Sequence, residues 1–276
     1  MGALLALGAA ISFGIADVSG AVASRRRSAL TVSIGVQLAG FPLLFVGLVV
    51  FSGRPSPTAL ALGAAAGVAG NLGLVLYLRS MAVGPIGVIS PVSAVVGAGV
   101  PVGWGVIIAG DPLTTIQIGG IVAGLIAVVL VAWSPGASIR AFGTKGPLVA
   151  LVAGALFGTF FVLLDATPEA SGLWPLLTAR TAGTIALTLL LVATRRSPSL
   201  RGTGGLVALS GTADVLANLL FLLATRSGLL SLASLLSSLY PVVALLLARQ
   251  LLGERLRRNQ QVGVALAIAA TAALVV

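Results

Sequence analysis

The chain has 276 residues, of which 58% are apolar and only 8% charged, and its mean hydropathy is +1.15. Soluble domains carry roughly 25% charged residues, so a water-soluble globular protein is excluded and an all-α membrane protein with short loops is expected. The formal net charge of +10, from 16 Lys+Arg against 6 Asp+Glu, reads in such a chain as basic residues pinning cytoplasmic loops, with no nucleic-acid partner; the lack of Cys and His removes disulfides, thiol catalysis and the commonest metal ligand, and no cofactor or metal is expected.

A spanning helix takes about 20 apolar residues, and the apolar runs place ten transmembrane helices. The first five cover 3–23, 28–52, 57–79, 85–109 and 113–133, and the second five 146–166, 172–194, 204–225, 228–249 and 260–276. Each run ends in groups that a bilayer core rejects: Arg25-Arg26-Arg27, Arg54-Pro55-Ser56-Pro57, Gly84-Pro85, Gly110-Asp111-Pro112, Asp165 to Gly172, Arg195 to Arg201, and Gly253 to Asn259. The longest polar gap divides the chain near its midpoint. It separates a first five-helix unit, 1–135, from a second, 146–276, with 136–145 as the linker.

The two units repeat one another. At an offset of 143, Gly110-Asp111, Gln117 and Gly120 fall on Gly253-Glu254, Gln260 and Gly263 without a gap. The same offset pairs Ala39-Gly40 with Ala182-Gly183 and Asn71 with Asp214, and an offset of 144 pairs Phe13-Gly14 with Phe157-Gly158. Five helices is an odd number, so the second copy enters the membrane upside down. Loop charge supports this independently, because 13 of the 16 basic residues lie in odd-numbered loops and 2 in even ones. Loop one is basic where its counterpart, loop six, carries Asp165 and Glu169; loop four carries Asp111 where loop nine is basic. Equivalent loops of opposite bias are what two inverted five-helix repeats require. The positive-inside rule then sets the odd-numbered loops in the cytoplasm and both termini outside.

Three ionisable residues fall within helices: Asp17, Arg180 and Asp214. Charge inside a bilayer is costly and belongs against a cavity or a partner. Asp17 lies close enough to a helix end to reach the interface, and Arg180 has a stem long enough to snorkel, so for these two both placements stay open. Asp214 is too far inside its helix and too short to escape. Asn71 and Asp214 are repeat equivalents, as are Gln37 and Arg180, and equivalent mid-helix positions of an inverted repeat converge near the midplane. They suggest one central pocket, joined by Asn218 on the same face as Asp214 and by Tyr77, whose ring flanks it. The fourth helix, with Ser90-Pro91 and several glycines, and the ninth, with Ser234, Ser237, Tyr240 and Pro241, carry helix-breaking residues suited to gates or to packing kinks. Small-xxx-small pairs at Gly63/Gly67, Gly99/Gly103, Gly120/Gly124 and Gly154/Gly158 point to close packing within one chain, and a monomer or weak homodimer is expected.

With its two five-helix units, its Gly110-Asp111 and Gly253-Glu254 signatures, the downstream glutamines and glycines, and the stretch Ser237-Ser238-Leu239-Tyr240-Pro241 before Leu251-Leu252-Gly253-Glu254, the chain resembles the EamA-type branch of the drug/metabolite transporter superfamily over essentially its whole length. It departs at Ser12-Phe13-Gly14, where the family usually carries a Trp-Gly-like element, and at Ala98, where the second half has Pro241. The resemblance implies an alternating-access carrier in the cell membrane, commonly an exporter of amino acids or other small metabolites. In that reading Arg180 meets a substrate carboxylate, and Asp214 or Asp17 meets an amine or exchanges a coupling proton. Gln37, Asn71, Asn218, Tyr77, Ser90, Ser234, Ser237 and Tyr240 supply hydrogen bonds and walls. Asp111 and Glu254 are expected to cap helix starts and stand outside the site. An exporter of hydrophobic cations is the alternative. A lipid-modifying membrane enzyme is the remote one, because no acidic or His cluster offers it a metal or a base.

Overall fold

The computed structural model describes residues 1–83, 86–132, 145–194, 199–252 and 257–275, and no strand occurs among them. The helices are α1 (Gly2–Ser24), α2 (Ala29–Val50), α3 (Pro57–Val83), α4 (Ile86–Trp104), α5 (Thr115–Ala132), α6 (Lys145–Asp165), α7 (Trp174–Ala193), α8 (Gly204–Arg226), α9 (Leu230–Ser237), α10 (Tyr240–Leu252) and α11 (Arg258–Val275). Nine spans among the described residues are long and apolar enough to cross a membrane, and one of them, Leu230–Leu247, takes in α9 and part of α10. The tenth, α11, opens on Arg258-Asn259-Gln260-Gln261, which lowers its mean hydropathy below that of the others.

The spans pack chiefly across the halves. α1 packs on α8 as α6 packs on α3; α4 packs on α6 as the ninth span, α9 with α10, packs on α1; and α3 packs on α7 as α8 packs on α2. Three pairings, α2 with α7, α4 with α9 and α5 with α11, are their own counterparts. Exchanging the two halves leaves this scheme unchanged, which is the two-fold relation of an inverted repeat. In lipid, packing rather than hydrophobic burial holds helices together, so small residues sit where backbones meet. Any side chain at Gly67 would run into the backbone of Ala179 on α7, and one at Gly154 would come within 2.6 Å of the Ser93 carbonyl on α4. Of the four small-xxx-small pairs, Gly99/Gly103 differs: neither glycine meets a neighbouring helix among the described residues.

The repeat signature is now physically legible. The π-helical turn Gly105–Ala109 that closes α4 ends at Gly110, whose φ of +72° a residue with a Cβ adopts only at a cost. Asp111 then accepts the backbone N–H of Ser231 at 2.9 Å, so it caps the start of α9 in the other half rather than the start of α5. Gln117 instead reaches back to cap the Thr114 N–H at 3.0 Å, and Gln260 does the same for Arg257 N–H at 3.0 Å. Gly120 packs on Ala273 and Leu274 of α11, and Gly263 packs on Leu130 and Val131 of α5. Glu254 lies outside the described residues.

The loops joining even-numbered spans to their successors are laced together on one face. Arg54 N–H donates to the Ala170 carbonyl at 2.8 Å, Trp174 Nε1–H to the Gly53 carbonyl at 3.1 Å, and Arg226 Nη2–H to the Gly172 carbonyl at 2.9 Å. The ninth span breaks between α9 and α10. Pro241 cannot donate to the Ser237 carbonyl and crowds it, while Leu239 and Val242 N–H shift to carbonyls three residues back, Leu236 and Leu239. In the first half Ala98 stands at the equivalent position, and α4 runs through it unbroken.

Candidate functional site

A cavity of about 380 Å³ lies between the halves, in the size range of small-molecule sites. α1 lends Phe13 and Asp17; α2 Gln37; α3 Asn71 and Tyr77; α7 Arg180; α8 Asp214 and Asn218; α9 Ser234 and Ser237; and Tyr240 comes from the first residue of α10. Ten of the eleven residues expected at the pocket therefore line a single cavity. The eleventh, Ser90, lies outside the residues whose side chains are described. The two open placements resolve the same way, since both Asp17 and Arg180 face the cavity rather than an interface.

Two polar pairs bridge adjacent spans, and they are repeat equivalents. Arg180 Nη1–H donates to Asp214 Oδ2 at 2.9 Å, the one salt bridge among the described residues. Gln37 Nε2–H donates to Asn71 Oδ1 at 3.4 Å. In each case the pair joins the second span of its half to the third. The glycines are equivalent too: a side chain at Gly40 would strike the Arg180 guanidinium, and one at Gly183 would strike the Asn71 amide.

Arg180 is consumed by the protein. Its Nε–H donates to the Gln37 carbonyl at 2.7 Å, and Nη2–H donates to the carbonyls of Val36 at 2.9 Å and Gly211 at 3.5 Å. The side chain is 6% exposed, while that of Asp214 keeps 29% of its surface open. Asp17 is the opposite case: it is exposed to the cavity and makes no hydrogen bond or ion pair among the described residues. With one arginine against two aspartates, the ionised site carries one net negative charge.

Two more polar atoms await partners. Asn218 Nδ2–H donates to the Asp214 carbonyl at 2.8 Å and to Asp214 Oδ1 at 3.4 Å. Both neighbours are acceptors, so the amide orientation is fixed, and Asn218 Oδ1 is left buried without a donor among the described residues. Ser234 Oγ is likewise buried and unpartnered among the described residues, whereas Ser237 Oγ–H reaches the Ala6 carbonyl at 3.4 Å.

The remaining wall is aromatic, and its four phenylalanines, unlike Tyr77 and Tyr240, were not part of the expected site. Phe13, Tyr77, Phe157, Phe160, Phe161 and Tyr240 are six of the chain's 14 aromatic residues. Tyr240 and Phe13 rings lie 6.1 Å apart, as do Phe13 and Phe161, and Phe160 and Phe161 lie 5.2 Å apart. Tyr77 meets Phe157 edge-on at 6.1 Å. The signal was present in the Phe13-Gly14/Phe157-Gly158 correspondence, which reads as a trace of duplication until the geometry shows both rings at the cavity.

The comparisons with known proteins agree with this architecture. The model of the EamA-like transporter family matches the chain twice, over residues 1–133 and 144–276. The chain belongs to that family. It is thereby a multi-pass membrane transporter of the drug/metabolite transporter superfamily, built from a duplicated unit. Among solved structures, 27 chains match. One of these crystal structures is similar to this chain with a TM-score of 0.82 at 16% identity, covering 100% of this chain and 98% of its own. No curated protein matches.

Proposed function

We propose that this EamA-family transporter carries a small organic cation, a primary or secondary amine with an apolar body, by alternating access. The observation that carries the reading is the set of unpartnered acceptors at one cavity: the Asp17 carboxylate, Asn218 Oδ1 and Ser234 Oγ. Acceptors left open inside a protein are costly unless a donor arrives, and an ammonium group offers two or three donors together with the compensating charge. The aromatic rings suit the same ligand, since a cation gains from ring faces and an apolar body from ring area.

This reading departs from the expectation that Arg180 meets a substrate carboxylate. A zwitterionic amino acid would need Arg180 to give up Asp214, and the hydrogen bonds to Val36 and Gln37 favour keeping it in place. In the proposed cycle Asp17 holds the ammonium in one direction and a proton in the other, so export is coupled to proton entry. The odd-numbered loops are cytoplasmic, and the lacing of the opposite face must open to release substrate.

Counterflow in proteoliposomes tests the reading. A panel of amines, zwitterionic amino acids, sugars and carboxylates is offered against one preloaded labelled amine under an imposed pH gradient. Amines alone are expected to compete, and transport to follow the gradient. Equal competition by zwitterions, or transport indifferent to the gradient, would refute the cationic reading.

A further inference from the structure

Away from the central cavity, a second concavity opens where α1 passes into α2. Ser24, Arg25, Arg26, Arg27, Ser28, Thr31 and Ser199 line it. Arg27 is tied down: its Nε–H and Nη2–H both donate to the Arg201 carbonyl, at 3.0 and 2.8 Å, which staples this loop to the segment before α8. Arg25 and Arg26 are exposed, and their guanidinium groups make no hydrogen bond or ion pair among the described residues.

The floor is the N-terminus of α2. Ser28 is its N-cap residue but makes no side-chain cap, so the first N–H groups of the helix have no side-chain acceptor among the described residues. Beside them, the hydroxyls of Ser28 and Thr31 are buried without a hydrogen-bond partner among the described residues, and Thr31 is only 4% exposed. A buried hydroxyl that faces a concavity and has no partner points to a ligand. Two free guanidiniums, uncapped helix N–H groups and two unpartnered hydroxyls are all donors, and one tetrahedral anion accepts from such a set.

The surroundings indicate where that anion comes from. On α2, Leu38, Phe45 and Val49 follow Thr31 at seven, fourteen and eighteen residues, so they lie on one helical face with it. All three are exposed and face lipid. A phosphate at the concavity is therefore continuous with an apolar track for its acyl chains.

We propose that this concavity is a phosphate site that takes the headgroup of an anionic phospholipid. The phosphate sits between Arg25, Arg26 and the N-terminus of α2, with Ser28 and Thr31 as hydroxyl donors and an acyl chain running from there down the Leu38 face of α2 toward Phe45.

The test is retention of phosphatidylglycerol by the purified full chain. Affinity is read by native mass spectrometry and by the rise in melting temperature across a lipid titration, with phosphatidylcholine and inorganic phosphate as parallel arms. Phosphatidylglycerol is expected to bind and to raise the melting temperature. Arg25→Gln with Arg26→Gln should weaken it about 30-fold, at roughly 1 kcal/mol per basic residue. Thr31→Val, which keeps the shape and removes the hydroxyl, should weaken it about 5-fold. Arg257→Gln with Arg258→Gln removes the same charge elsewhere and should leave it unchanged. Binding of inorganic phosphate as well would assign the site to the phosphate group itself, and binding of the lipid alone to the acyl track in addition. If phosphatidylglycerol shows no advantage over phosphatidylcholine, or if both Thr31→Val and the Arg25/Arg26 variant bind as the native chain does, the site does not exist. A loss equalled by the Arg257/Arg258 variant would reduce the effect to overall charge and overturn the proposal.

Discussion

The two halves share a backbone plan and differ in chemistry. Where the first half joins its second and third spans by a neutral amide pair, Gln37 with Asn71, the second joins them by an ion pair, Arg180 with Asp214. Asp17 in α1 corresponds to Phe161 in α6, and the intact α4 corresponds to a span broken at Pro241. Duplication supplied two equivalent frames around one cavity, and divergence made them complementary: the first half brings the free carboxylate, and the second brings the internal salt bridge, the open serine and the hinge. The glycines that make room for each polar pair, Gly40 and Gly183, are the part both halves kept.

The sharpest way to break this comparison is to make the halves alike. Arg180→Gln leaves Asp214 without its cation and several α2 and α8 carbonyls without a donor. It is expected to destabilise the protein by about 3 kcal/mol, as removing one partner of a buried pair does, measured by thermal unfolding in detergent. Arg180→Gln with Asp214→Asn rebuilds the first half's neutral pair in the second and should return to within about 1 kcal/mol of the native chain. If the double variant is no more stable than the single, the two pairs are not interchangeable frames.

The next effect concerns ligand rather than fold. Asp17→Asn removes a carboxylate that makes no hydrogen bond or ion pair among the described residues, so stability should change little while affinity for an amine substrate falls about 100-fold, the scale of a lost charge-assisted bond. Binding measured in nanodiscs decides it, and an unchanged dissociation constant would remove Asp17 from the site.

What the sequence made legible follows from where the physical constraint lies. Spans and their duplication were readable because lipid rejects charge, Pro and Gly clusters wherever they interrupt an apolar run, and because a gapless Gly-acid-x5-Gln-x2-Gly pattern recurs at one offset. Asp17, Arg180 and Asp214 stood out because ionisable groups are costly in a bilayer. The state of each was hidden: that Arg180 is spent on Asp214 and backbone carbonyls while Asp17 is open depends on helix rotation and side-chain reach. The aromatic wall was hidden for another reason, since Phe160 and Phe161 are as much at home facing lipid as facing a ligand. Asp111 capping α9 across the halves was equally out of reach, because its partner lies 120 residues away.

A smaller effect is expected from mending the broken span. Pro241→Ala gives the second half the residue type that Ala98 supplies in the first, letting α9 and α10 join. Stability should rise by up to about 1 kcal/mol, because Pro in a helix interior costs a backbone hydrogen bond. Substrate affinity should hold, while counterflow in proteoliposomes slows about tenfold if this break is where the span flexes between its two states. Unchanged counterflow would make the break a packing feature only.

The smallest effect tests the shared signature itself. In the first half the cap is reciprocal: Gln117 accepts from Thr114 N–H at 3.0 Å, and Thr114 Oγ1 accepts from Gln117 N–H at 3.2 Å. The second half keeps the glutamine, at 3.0 Å from Arg257 N–H, but has Arg257 where Thr114 stands, so its box is half closed. Arg257→Thr should complete it and stabilise the start of α11 by about 0.5 to 1 kcal/mol, while Thr114→Ala should cost the first half a similar amount. Both changes are exposed, leave the cavity untouched and are read as opposite shifts of the melting temperature. A shift of the same sign in both would mean that the glutamine alone forms the cap and that the missing threonine is not a difference between the halves that matters.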